Sequence, residues 1–151
     1  MKWKLLLAAF AALVVAFGLS TPAQAHSTDD WTTIAQHPEQ WPGHRYANAS
    51  ITGSETETHI DWSGTAVVVS SFVKDSKQDG WCAIVQIRYE IKTNDTWAGH
   101  WHYRVPKVDC TDGNGGLFSS IYYARYPTRS LHARACIGYA DGTTYSCGAW
   151  Q

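Results

Sequence analysis

The sequence has no excess of cations, no long helical pattern, no second apolar segment of membrane length, and none of the short motifs that announce common chemistries. Each absence removes a class. Twelve Lys and Arg stand against 13 Asp and Glu, so neither nucleic acid nor an anionic membrane is expected as the main partner. With no G-x-S-x-G elbow and no H-E-x-x-H pair, two familiar forms of hydrolysis lack a signature. No C-x-x-C spacing occurs, so the four cysteines do not read as a metal site. There is no internal repeat and no low-complexity tract.

What is present begins with an address. Lys2 and Lys4 precede an apolar run from Leu5 to Leu19, and Ala23-Gln24-Ala25 has the small-x-small form of a cleavage site. Residues 1–25 therefore read as a secretory signal peptide, too short and wrongly flanked for a membrane anchor. Its removal leaves 126 of the 151 residues, beginning at His26, a single domain by size. Without Lys2 and Lys4 the balance is ten cations against 13 acids, a net charge of −3. The expected location is extracellular.

Residues 26–48 look unlike the rest. Asp29 or Asp30 can cap a short turn through Trp31 and Ile34, after which Pro38, Pro42 and Gly43 prevent regular continuation. The expectation is an N-terminal arm over 26–48 and a β domain over 49–151. Trp31, Ile34 and Trp41 are the candidate partner-binding residues, because two Trp outside a strand pattern should either pack or bind.

From Ala49 onward the pattern is that of strands. Trp81, Ala83, Val85, Ile87, Tyr89 and Ile91 alternate with residues that drift polar, Gln86, Arg88 and Glu90, which predicts a strand with one face on a core. Thr58, Ile60 and Trp62 share one side of an earlier strand. The β-branched run 66–73, the polar turn 74–80 and the strand to residue 91 are read as a hairpin. Over 97–105, Trp97, Trp101, Tyr103 and Val105 are assigned to one face and Ala98, His100, His102 and Arg104 to the other, with Pro106 marking an edge or an end. Further strands are expected over 117–126, 131–139 and 144–150. About seven strands without a helix imply an all-β fold, an antiparallel, immunoglobulin-like β-sandwich.

An even number of cysteines in an exported chain reads as disulfides, and four allow three connectivities. Asp141-Gly142 is a two-residue turn signal. A turn there places Cys136 opposite Cys147, within bonding distance. Cys82 and Cys110 then form the second bridge.

The run Val73-Lys74-Asp75 … Asp79-Gly80-Trp81-Cys82-Ala83, together with Ala135-Cys136-Ile137, Asp141-Gly142 and Ser146-Cys147, resembles the small secreted β-sandwich proteins abundant in Streptomyces and related actinobacteria. The likeness spans about residues 65–151 and rests on cysteine placement and turn residues. Some similar small secreted proteins are adaptors in umbrella toxin particles, which are antibacterial, and join a lectin subunit to a long toxin chain. The resemblance implies a non-catalytic binding role.

His100 and His102 are the sharpest chemical pair, at i and i+2 of one strand face, with His59 or His132 as a conceivable third ligand. The favoured reading makes them solvent-facing polar positions, so no metal and no cofactor is expected. The aromatic excess, eight Trp and eight Tyr in the chain, exceeds what a small core needs and suits protein hot spots or glycan stacking equally. The reading is a secreted protein that binds another secreted protein and performs no chemistry, an adaptor or subunit of an extracellular complex. The alternatives are a glycan-binding module and a proteinaceous inhibitor of an extracellular hydrolase.

Overall fold

The computed structural model describes residues 30–113 and 115–151. The signal peptide expected over 1–25 lies outside the described residues, as do residues 26–29. The described chain is all strand and turn: β1 (Trp31–Ile34), β2 (Gly43–Ile51), β3 (Ser54–Ser63), β4 (Ala66–Asp75), β5 (Cys82–Thr93), β6 (Thr96–Trp97), β7 (His102–Asp109), β8 (Leu117–Phe118), β9 (Ile121–Ala124), β10 (Thr128–Gly138) and β11 (Thr144–Cys147). One sheet has the order β1-β9-β4-β3-β2, with β8 also on β4. In the other, β5 pairs with β10 on one side and with β7 and β6 on the other, and β11 continues beyond β10. All pairings are antiparallel, and the two sheets face each other as a sandwich. Six strands are long and five are two to four residues, so the expected count of about seven missed mainly the short ones.

The core fills the space between the inward faces. Ile60 and Val69 of the first sheet meet Ile87, Tyr89, Leu131 and Ala133 of the second. Val73, Ala83 and Val85 continue it toward the cysteine end. Burial of such side chains is worth about 1.5–3 kcal/mol each against exposure. Cys82–Cys110 and Cys136–Cys147 are both formed.

Three expectations fail here, each for a physical reason. Residues 66–91 are not a hairpin: β4 pairs with β3, β8 and β9, and β5 with strands of the other sheet. Both strands turn an apolar face to the core, so the polar link 76–81 carries the chain from one sheet to the other. The 26–48 arm and the boundary at 49 also fail. Trp31 lies in β1, paired with Ala124, and residues 43–48 form two-thirds of β2, paired with β3 from Gly43↔Trp62 onward. The inward positions of β2 before Ile51 are small or polar, Gly43, Arg45, Ala47 and Ala49, so no run of apolar alternation betrays the strand. They suffice because Trp62 lies over Gly43, where a Cβ would come within 2.1 Å of the ring, and Arg45 donates to the Leu131 carbonyl across the sandwich.

The third concerns residues 97–105. The run is broken between β6 and β7, where Gly99 has φ +70°, and the break moves the faces by one residue. His102 pairs with inward-facing Tyr89 and is buried, while Tyr103 is 42% and Trp101 36% exposed. Pro106 does lie on an edge strand, at a bulge where β7 has one residue more than β5.

The 141–142 turn reaches the expected disulfide by another route. Asp141 keeps an ordinary φ and Gly142 has φ +88°, and the Gly142 amide donates to the Tyr139 carbonyl at 2.9 Å. This is a three-residue loop ending in a left-handed glycine, which pairs Gly138 with Thr144. A bulge then adds one residue on β11, restoring Cys136↔Cys147.

Candidate functional site

Trp31 is only 4% exposed and meets Tyr89 edge-on, with ring centroids 5.0 Å apart. It belongs to the core and is no partner anchor. Ile34 pairs with Ile121 at the end of β1 and is half-buried. Trp41 is half-buried against Tyr123, at 6.1 Å. The three expected partner-binding residues therefore form no common surface.

His100 and His102 stack at 4.9 Å, but they are not a solvent-facing pair. His102 Nδ1 lies 2.9 Å from Asp30 Oδ2, and the Tyr89 hydroxyl donates to the same oxygen at 3.0 Å. Burial holds the Tyr89 phenol far above its usual range, and the neighbouring Asp30 carboxylate adds to the effect. Asp30 and His102 line a cleft of about 430 Å³, together with Trp97, His100 and Tyr126. Neither proposed third ligand joins the pair: His59 bonds to Asp61 on the first sheet, and His132 meets Trp101 edge-on.

Two outer faces carry what sequence reasoning missed. On β5, Gln86, Arg88 and Glu90 point away from the core, because Ile87 and Tyr89 point into it. Their cross-strand partners are Arg134, His132 and Arg129 on β10, and Tyr103 on β7. Arg88 stands 4.4 Å over the Trp101 ring and 4.6 Å over Trp150, and Arg134 stands 4.1 Å over Trp150. The Arg134 guanidinium also donates twice to Gln86 Oε1, at 2.7 and 2.9 Å. Arg129 extends the row, 4.1 Å over Trp97 and bonded to Glu90 at 2.8 Å. Trp150 reaches this face because residues 148–151 continue along β10, with Gly148 and Gln151 amides donating to Ala135 and Ala133 carbonyls. The even spacing of Gln86, Arg88 and Glu90 was visible in the sequence; the aromatic partners come from two other segments, 97–103 and the C-terminal Trp150.

On the first sheet, β1 and β2 lie at opposite edges, so residues 35–42 must cross the sheet. They do so over its outer side. Val68 is paired with outward-facing Asp61 yet has no exposed surface, and His37 of the crossing segment bonds to both Asp61 and Ser70. Asp61 is 6% exposed. Its Oδ2 meets His37 Nδ1, and its Oδ1 lies 3.0 Å from His59 Nε2. The His37 and His59 rings stack at 4.4 Å, and Tyr46 stacks on His59 at 4.5 Å. His59 and Asp61 sit two residues apart on one strand, a pairing the alternation of β3 implied; only the crossing supplies His37.

Ser70 Oγ lies 2.8 Å from His37 Nε2, so Ser70, His37 and Asp61 are connected in series as in a hydrolase triad. Ser70 lies inside β4, opposite His59. The amide of the next residue, Ser71, donates to Ser119 Oγ at 2.9 Å. The series holds the His37 imidazole between Asp61 and Ser70. No helix among the described residues is long and apolar enough to cross a membrane. Compared with protein-family models, curated proteins and solved structures, the chain matches none.

Proposed function

We propose that this is a secreted protein-binding β-sandwich, an adaptor or subunit of an extracellular complex, that works by binding and not by chemistry. The observation that carries the reading is the outer face of the second sheet, where Arg88 and Arg134 are stacked with Trp101 and Trp150 beside exposed Tyr103. Trp, Tyr and Arg are the residue types that dominate protein–protein hot spots. The guanidinium–indole stacks and the Gln86 bonds hold these long side chains in place, which lowers the entropy lost on docking. Two disulfides suit an oxidising, extracellular setting. The likeness of residues 65–151 to small secreted actinobacterial proteins supports an adaptor role, an antibacterial toxin particle being the assembly it suggests.

The test starts with capture from concentrated culture supernatant by the full chain, followed by affinity measurement with the purified captured protein. Trp101→Ser and Arg134→Glu should each weaken binding by roughly 30-fold or more, the effect of losing a hot spot, with melting nearly unchanged. Unchanged affinity in both variants removes this face as the site.

A glycan-binding reading has its own observation. At the Cys82 end of β5, Tyr145 is 68% exposed and stacks on Trp81 at 4.6 Å, with Tyr139 edge-on at 5.2 Å. A bare aromatic face suits a sugar ring, whereas Trp150 already carries two guanidinium groups. Binding on a soluble-glycan array that disappears in Tyr145→Ala would favour this alternative.

A further inference from the structure

We propose that His37, His59 and Asp61 form a binding site for a divalent first-row transition ion, with zinc as its probe, that clamps the crossing segment 35–42 to the outer face of the first sheet. One donor atom from each of the three residues lies within 4.8 Å of the other two. Around a tetrahedral zinc the donors sit about 2.0–2.1 Å from the metal and so about 3.4 Å from one another. Ligation therefore needs a small rearrangement: His37 Nδ1, now in direct contact with Asp61, must move apart from it, while the widest donor pair closes from at most 4.8 Å, and rotation of the half-buried His37 and His59 side chains can supply both. Two imidazoles and one carboxylate are the donor set of many zinc sites, with the fourth position left to water.

The surroundings fit ligation as well as the donors do. In a metalated site His37 binds through Nδ1, and its Nε2–H donates to Ser70 Oγ, already 2.8 Å away. Such an outer hydrogen bond sets the tautomer and orientation of a ligating imidazole. Tyr46 stacked on His59 restrains the second ring from its other side. Asp61 is nearly buried although it faces outward, which is expensive for a carboxylate unless charge or hydrogen bonds compensate it. A dication between the three residues supplies that charge and displaces the protons that bridge the groups in its absence. His59 and Asp61 belong to β3 and His37 to the link between β1 and β2, so the ion ties together segments more than twenty residues apart in sequence.

Zinc titrated into the metal-free mature chain by calorimetry should bind one ion per chain with a micromolar or tighter dissociation constant. The apparent enthalpy should differ between buffers of different ionisation enthalpy, because protons are released. Cobalt in its place should give the visible bands of a four-coordinate site, and zinc should raise the melting temperature. His59→Ala and Asp61→Asn should each weaken binding by at least about 100-fold, and Ser70→Ala by about ten-fold, as loss of an outer-shell partner does. His100→Ala should leave it unchanged. Since Asp61→Asn can disturb folding, imidazole nitrogen shifts by NMR on the unmodified chain give an independent readout: zinc should move His37 and His59 and not His100. Affinity weaker than millimolar, retention in His59→Ala, or loss in His100→Ala overturns the proposal.

Discussion

Replacing Trp31 by Ala separates a core residue from a docking anchor. Trp31 begins β1, is 4% exposed, and packs edge-on against Tyr89, which is itself 2% exposed. Truncating a buried Trp removes its transfer energy and leaves a cavity, together about 3–5 kcal/mol. The lost aromatic pair, worth about 0.5–1.5 kcal/mol, places this site toward the upper end. A domain of this size has about 5–15 kcal/mol in total, so the change takes a large share of it. At about 4 °C per kcal/mol the melting temperature should fall by roughly 12–20 °C. Trp41 is half-buried against Tyr123, and its truncation should cost about 1 kcal/mol, an average point change. Urea denaturation followed by far-ultraviolet circular dichroism measures both. A Trp31→Ala midpoint within about 0.5 kcal/mol of the parent, the range of surface changes, would refute the assignment of β1 to the core.

Three further outcomes are expected. Replacing both Cys136 and Cys147 by Ala should cost about 3 kcal/mol in urea unfolding, the loop-closure entropy for a bridge of this span, and non-reducing peptide mapping of the parent should link Cys82 to Cys110. Gly43→Ala drives a Cβ into the Trp62 ring, and overpacking of this kind costs about 1–3 kcal/mol; the melting temperature should fall and the tryptophan fluorescence should shift. Burial pushes the Asp75 carboxyl above its usual range, only partly offset by backbone donors of Lys77 and Asp112, while the charges of Asp112 and Asp109 add to the rise. The native state then holds its proton to a higher pH than the unfolded chain does, so this group lowers stability as pH rises through that window and its full cost is felt at neutral pH. Asp75→Asn should accordingly be neutral or stabilising at neutral pH, with the gain shrinking as pH falls through that window and gone below the ordinary value of 3.8; urea midpoints at neutral pH and below 3.8 check this, and a variant losing more at neutral pH than in acid would show that the charge is stabilising.

The sequence alone determined the fold class and both disulfides. Alternation along β3, β5 and β10 is a local property, because successive side chains of a strand point to opposite sides, and 83, 85, 87 and 89 are buried as that period requires. The Cys136–Cys147 bridge followed from its neighbouring turn, although the structure reached the same register through a three-residue loop and a compensating bulge. Tertiary structure decided the rest. Which sheet a strand joins is a non-local choice, so β4 and β5, adjacent in sequence, could be read as partners when they lie in different layers. β1 is too short for a period to show, and β2 presents small inward residues whose space is filled by Trp62. A break at Gly99 inverted the faces of the His100–Arg104 stretch. The outer-face clusters were the least legible. Arg88 with Trp101 and Trp150, and Asp61 with His37 and His59, join residues from separate strands and links. Their proximity is set by sheet order and by the path of residues 35–42 across β9, β4 and β3, and no spacing along one segment encodes it.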